Sequence, residues 1–526
     1  MKRKFLAKAI TLGLMLAVPL GVEAAHTLVA DKTVDGETKI YSEAASIIGD
    51  KYQYNYTING RLAMSGASYI KEVNQLTFGT DGKESSFSGG SIEAKNITVK
   101  GRLWTAKGTS IDTSGELLFV NNPQIDSPED TKNKVLNCGT INADNIESPI
   151  YFRNQGTIVV QNVIKADAGF INENTTAKIT ADKLIVEKTF NNKGNISVNS
   201  ITANLNGNNK LVNNGADAQI QTNEITVKAG GITNNGTITS KDENSKVAIS
   251  SAGEVYNTGS LLNIGSLTSN NGITNAEGAI IKTDTINNTL GTISNRGSLE
   301  SMTEIKSVGN IDNYGVLKTK NLISNTRLYN RQGATLETEN IDGVTGTIRN
   351  YGTLTNKNEI KSDGAIYNRG HLKSYSLVSK STVTNGGYNN SADPADPNSK
   401  MEVGSLVAEA IINNGQLIAD SVETTKNIAN GNSAALNINN TLKIEGILKN
   451  AGSLETKDLI ISQASDNANS DSYSTGSLKV KGTLTLNENA GFSFEDKKEG
   501  EDISIGTLET KGNNGRLYNQ LEQKIK

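Results

Sequence analysis

Cysteine is all but absent from this chain. Cys138 stands alone among 526 residues, so no internal disulfide can form and stability has to come from packing and hydrogen bonding. Histidine is almost as scarce. With only His26 and His371, a serine or cysteine triad has almost no base to recruit, and neither a G-D-S-G nor a G-x-S-x-G sequence occurs. Cys138 has no second cysteine or nearby histidine with which to hold a metal, and calcium repeats of the G-G-x-G-x-D kind, a Walker loop and a dinucleotide fingerprint are missing. No catalytic residue, metal site or cofactor is therefore expected. The 52 basic and 55 acidic side chains leave a formal charge of -3 and a pI near 5.8, which argues against a nucleic-acid partner, because such a partner needs clustered cations to displace its counterions. Prolines number 6, and no proline-rich or glycine/serine-rich linker cuts the sequence into the roughly three or four compact domains its length would suggest.

One apolar run is present, at residues 9–20. It follows Lys2, Arg3, Lys4 and Lys8 and precedes Val22-Glu23-Ala24, small residues placed for a cut after Ala24. Charge, run length and cleavage chemistry together predict a secretory signal peptide over 1–24, the run being too short for a spanning helix with these flanks. The mature chain is expected to be exported, with no membrane span of its own.

The strongest signal is internal repetition. An apolar residue two positions before an asparagine, often with glycine two positions after it and an apolar residue four after, recurs at Asn137, Asn154, Asn172, Asn192, Asn213, Asn234, Asn257, Asn275, Asn295, Asn313, Asn330, Asn350, Asn368, Asn385, Asn413, Asn430 and Asn450. The steps run from 17 to 23 residues, with a single step of 28 between Asn385 and Asn413. Spacing by twos puts Ile348, Asn350, Gly352 and Leu354 on one face of an extended segment and Arg349, Tyr351 and Thr353 on the other. A second apolar position follows about ten residues on, at Ile305, Ile323, Ile360 and Val378. Short strands at a near-constant coil length predict an all-β fold, a right-handed parallel β-helix in which no coil buries its own apolar face and each packs on its neighbours. The asparagines are read as a structural amide ladder, each donating to the next at a spacing of about 4.8 Å, in a backbone corner where asparagine tolerates left-handed angles. The glycine is read as making the turn tight. Roughly 23 coils and a rod on the order of 110 Å follow from that spacing.

The expected organisation is a signal peptide at 1–24, a less regular β-helical section at 25–136 holding the lone Trp104, a regular β-helix at 137–510 with a loop insertion at 386–402, and a C-terminal helical cap or linker at 511–526. Leu517, Leu521 and Ile525 recur there at helical spacing.

With the signal peptide, the I-x-N-x-G-x-L coils and the scarcity of cysteine in view, the chain resembles the passenger domain of bacterial autotransporters, the type V secretion family, whose fold is the pectate-lyase-like β-helix. The resemblance covers nearly all of the mature sequence. It implies display at the bacterial surface in association with the outer membrane, and a role in adhesion and virulence. Such passengers precede a C-terminal outer-membrane barrel of alternating strands, and no such barrel is expected within these residues, the last of which are Lys524-Ile525-Lys526. Enzymes of the same fold carry N-T-D, D-D, G-H-G and R-I-K motifs or an aspartate cluster for calcium, and none is found here. The nearest approach, Arg369-Gly370-His371, lies on the repeat itself, which makes His371 an exposed outward residue.

What remains is surface. The slots flanking the ladder hold Arg296, Tyr314, Tyr329, Arg331, Arg349, Tyr351, Tyr367 and Arg369, with Tyr256 two coils earlier. Arginine stacks on tyrosine from one coil to the next, and these residue types make interface hot spots and platforms for sugars. The sequence therefore predicts a monomeric adhesin-like β-helix, secreted or surface-displayed, whose partner is a protein or carbohydrate on host or neighbouring cells. A polysaccharide-processing β-helix enzyme and a purely structural stalk are the alternatives.

Overall fold

The computed structural model describes residues 26–28, 30–36, 38–40, 46–49, 51–120, 134–205, 209–387, 396–462, 472–488, 490–494, 502–511 and 516–519. The signal peptide expected at 1–24 lies outside them. The chain is an all-β, right-handed parallel β-solenoid of about 21 coils with about 19 residues per turn, close to the 23 expected. Its contacts divide it into two units, Met1–Thr202 and Ala203–Lys526.

In Ala203–Lys526 the coils share one plan. A three-residue strand such as Ile348–Asn350 ends on the ladder asparagine, and a longer strand such as Thr353–Ser362 follows. Alternate residues are buried, as the period of two requires. The longer strand shifts register midway, for instance between Thr355 and Glu359, so that it bends and serves two faces of the coil. Each strand pairs in parallel with its counterparts in neighbouring coils: Ile348 lies over Ile366, Arg349 over Tyr367 and Asn350 over Asn368.

Three apolar columns result. Ile293, Ile311, Leu328, Ile348 and Ile366 stack in the first, Leu299, Leu317, Leu336, Leu354 and Leu372 in the second. The third runs through Ile305, Leu322, Ile341, Ile360 and Leu377. All are essentially fully buried, at a gain of about 1.5–3 kcal/mol for each such side chain. Ile323 and Val378, expected in this third column, are displaced outward by one residue and stand half-exposed opposite Lys306 and Lys361, because Leu322 and Leu377 already fill the inward slots. Small polar side chains close the bends. Ser362 Oγ, for example, has its one O–H within reach of the carbonyls of Val344 and Gly364, at 3.2 and 3.0 Å.

The ladder forms as expected. Each asparagine Nδ2 donates to the Oδ1 of the next, from Asn213 to Asn234 at 2.8 Å through to Asn430 to Asn450 at 2.8 Å, and Asn450 donates to Ser474 Oγ at 2.9 Å. Most of these amides also satisfy a carbonyl of the next coil, as Asn350 does with His371 O at 3.0 Å. The insertion at 386–402 is shorter than expected at its far end. Lys400–Asn413 is strand, with Met401 buried over Leu372. Asp396 N donates to Gly386 O at 2.8 Å across the neck, and 388–395 lie outside the described residues.

Two expectations about the repeat are corrected. Among the described residues no ladder asparagine adopts a positive φ, so its place is set by its amide hydrogen bonds and not by a left-handed backbone. Nor is the following glycine there for a turn. A Cβ on Gly370 would lie 2.0 Å from Gly352 O, and one on Gly352 would lie 2.2 Å from Ala334 O, so these glycines let successive coils approach. Gly370→Ala should cost about 1–3 kcal/mol by forced overpacking. Chemical unfolding would show it, and an unchanged midpoint would mean that the coils can separate freely at this corner.

The tail is also corrected. Where a helix was expected at 511–526, Arg516–Asn519 is a strand paired in parallel with Gly491–Phe494, and 520–526 lie outside the described residues. Leu517-Tyr518-Asn519 repeats the Leu-Tyr-Asn of 328–330, so the segment is one more copy of the ladder strand, which a helical spacing of three residues had concealed.

In Met1–Thr202 the same parallel coils carry larger core residues. Phe152 stacks on Phe170 at 5.5 Å between ring centroids and meets Phe119 edge-on at 5.8 Å, and Phe190 continues the column over Phe170. The ladder here starts from Thr105, whose Oγ1 donates to Asn137 Oδ1 at 2.8 Å, and runs through Asn154 and Asn172 to Asn192.

Candidate functional site

Every ladder strand has one outward residue before its asparagine and one after it. The strand register places the first kind in a column: Ser294, Asp312, Tyr329, Arg349 and Tyr367. The second kind follows the same stacking, since the backbone amides of Tyr314, Arg331, Tyr351 and Arg369 donate in turn to the carbonyls of Asn295, Asn313, Asn330 and Asn350 at 2.7–2.9 Å. Arg296, Tyr314, Arg331, Tyr351 and Arg369 thus form a second column beside the first.

Guanidinium groups and phenol rings interlock across these columns. Arg331 lies 3.5 Å from the ring centroid of Tyr329 and 4.9 Å from that of Tyr314, and Arg296 lies 5.1 Å from Tyr314 on its other side. Arg349 sits 5.9 Å from Tyr367, Arg369 sits 5.9 Å from Tyr351, and Tyr329 and Tyr351 contact each other at 5.2 Å. Each cation–π contact contributes about 0.5–1 kcal/mol at such partly exposed sites. Together they fix the planes of side chains that would otherwise be mobile.

The structure adds two residues that sequence reading did not single out. Arg327 lies 5.6 Å from Tyr329 and pairs with Asp312 at 3.3 Å, while Arg331 reaches the same carboxylate at 4.0 Å. Asp312 occupies a flanking slot of the ladder but is neither tyrosine nor arginine. Arg327 stands three positions before Asn330, where the same outward parity, carried one step further, would have found it. Tyr256 is not part of the cluster: its neighbours in the column are Thr233 and Thr274.

Exposed apolar side chains flank the start of the columns. Leu290 is 61% exposed and Val308 41%, on the bends that lead into the ladder strands, and Val316 follows Tyr314 on the far side. On the adjoining face, opposite charges pair from coil to coil, as in Lys318 with Glu337 at 2.8 Å and Lys357 with Glu339 at 3.1 Å. That pairing is how a heavily charged surface stays near neutral overall, and exposed pairs of this kind add little stability.

His371 is half-exposed, with Nε2 3.1 Å from Glu402 Oε2 on the coil beyond the insertion. Hydrogen bonds from Lys400 and then His371 hold the Glu402 carboxyl below its ordinary range. Cys138 is half-buried and donates from Sγ to Gln155 Oε1 at 3.3 Å, and burial pushes its thiol up, which disfavours the reactive thiolate. Trp104 stands half-buried in register between Ser86 and Leu136. Among the described residues no group of three or more His, Cys, Asp or Glu is placed to hold a metal ion.

What the Arg–Tyr face can do chemically is bind. Arginine presents donors in a planar fork suited to carboxylate or sulfate, tyrosine presents an apolar ring with a polar tip, and each holds the other in place. No protein family, curated protein or solved structure matches the chain.

Proposed function

We propose that this chain is an exported, adhesin-like binding protein of the bacterial surface, which holds host, matrix or neighbouring cells by many weak contacts along its coils. The observation that carries the reading is the Arg–Tyr face itself. Five successive coils, those of Asn295 to Asn368, devote their outward ladder slots mainly to the two residue types that dominate interface hot spots. Repetition multiplies a modest contact, since binding at one coil raises the effective concentration at the next. Export rests on the charge and apolar pattern of residues 1–24.

The test is Tyr314→Ser, Tyr351→Ser and Tyr367→Ser together, in cells or beads displaying the protein. Three aromatic contacts at about 1 kcal/mol each imply roughly a hundredfold weaker attachment. Unchanged attachment with a lowered unfolding midpoint would assign the rings to stiffening the solenoid instead, the role of a structural stalk.

A further inference from the structure

We propose that the Arg–Tyr face takes a linear acidic polysaccharide bearing one anionic group on every second sugar, laid across successive coils of the Ala203–Lys526 unit. This rests on the binding role argued above and names the chemistry of the ligand.

Three observations lead there. The first is the order of residues. Arg296, Tyr314, Arg331, Tyr351 and Arg369 follow one another coil by coil, so guanidinium and ring alternate down the column, and Tyr329, Arg349 and Tyr367 alternate in the opposite phase beside it. The second is spacing. Neighbouring strands lie about 4.8 Å apart, so like residues return about every 9.6 Å along a column. A pyranose in an extended chain advances by close to one strand spacing. A polymer of alternating neutral and charged sugars therefore sets a sugar against the exposed edge of each tyrosine, whose ring face already meets an arginine, and an anion beside each arginine, without leaving the column.

The third is charge. Among the described residues, the ladder slots of these five coils and Arg327 beside them hold five guanidinium groups and the carboxylate of Asp312, within a chain whose formal charge is -3. The excess of cations is thus local and meets an anionic ligand. Stacking against tyrosine, at 3.5 Å for Arg331 on Tyr329, orients the guanidinium planes before any ligand arrives and so reduces the ordering cost of binding.

The probe is a hyaluronan oligosaccharide of eight sugars, with one carboxylate per disaccharide, titrated by calorimetry into the full chain. Polygalacturonate of equal length, charged at every sugar, a neutral β-glucan oligosaccharide and single-stranded oligothymidylate are run beside it. Hyaluronan is expected to bind, to bind more tightly than the other three, and to weaken as salt screens the arginines. The decisive variant exchanges two residues within one coil, Arg349→Tyr with Tyr351→Arg. Composition and net charge are kept, but tyrosine now stacks on tyrosine and arginine on arginine. About tenfold weaker binding is expected, with circular dichroism confirming the fold.

Unchanged binding by the exchanged variant would overturn the proposal, since charge alone would then suffice. So would equal or tighter binding of polygalacturonate or oligothymidylate, or no binding of hyaluronan. If hyaluronan fails while the triple tyrosine variant still loses cell attachment, the ligand class is wrong and the binding role stands. If both fail, the face does not bind.

Discussion

Asn350→Leu is expected to destabilise the Ala203–Lys526 unit by about 2–5 kcal/mol, because leucine has the branched skeleton of asparagine, with bulkier ends, and makes none of its hydrogen bonds. Asn350 is fully buried. Its Oδ1 accepts from Asn330 Nδ2 at 2.8 Å, and its Nδ2 donates to Asn368 Oδ1 at 2.8 Å and to His371 O at 3.0 Å. Leucine leaves one N–H of Asn330 and the carbonyl of Asn368 without their partner, in a place with no room for water, and each orphaned group costs about 1–3 kcal/mol. Asn350→Asp should be worse at neutral pH. A carboxylate still accepts from Asn330, but it meets the Asn368 oxygen with no proton to offer and buries a charge. Such a carboxyl is held protonated by its surroundings, so its pKa in the folded state is raised. The variant is then most stable below the ordinary carboxylate range, near pH 4, and loses stability as pH rises above it. Urea unfolding of the two variants at pH 4 and pH 7 measures both effects. A loss below about 1 kcal/mol for leucine, or no pH dependence for aspartate, would mean that the ladder contributes shape and not hydrogen bonding.

The second large effect belongs to Met1–Thr202. Phe152→Ala removes a ring at 0% exposure that contacts Phe119 and Phe170 in the coils on either side. Truncation of a buried phenylalanine costs about 3–5 kcal/mol, part of it for the cavity left behind. Collapse is hindered here because the column continues rigidly to Phe190. Phe152→Leu should cost much less, since it keeps most of the volume. The comparison in urea unfolding separates a cavity from a simple loss of apolar area: similar losses for alanine and leucine would rule the cavity out.

The ladder and its parity were legible because both depend on strict local spacing. An asparagine at a core position in strand after strand has few physical uses, and alternation by twos fixed which side chains point out. Residues 350 and 368, with their neighbours at ±1, were placed correctly on that ground alone. What escaped depends on contact between coils. The need for glycine at 352 and 370 is set by a carbonyl in the preceding coil, and no single coil contains that information. Coil length misled in a similar way. From the second inward column to the third the step is five residues from Leu317 to Leu322 and from Leu372 to Leu377, but six from Leu299 to Ile305 and from Leu354 to Ile360, where the register shifts at the bend. Counting a fixed ten residues from the ladder therefore misplaced Ile323 and Val378 by one position and turned core into surface. At the tail, Leu517, Leu521 and Ile525 satisfied a helical period, yet the first of them begins another copy of the repeat. Asp312 is neither tyrosine nor arginine and Arg327 stands one step outside the flanking slots, whereas a carboxylate shared by two arginines is a property of two adjacent coils together.

The opposed phases of the two columns bear on how such a chain can grow. Removing the coil of Asn350 would set Tyr329 directly on Tyr367 and Arg331 directly on Arg369, which places like charges one strand apart. Removing or duplicating two coils restores the original neighbours. Tandem gain or loss of sequence in this region is therefore expected to keep the alternation only in even numbers, so the repeating unit of the face is a pair of repeats, about 38 residues, although the unit of the fold is one.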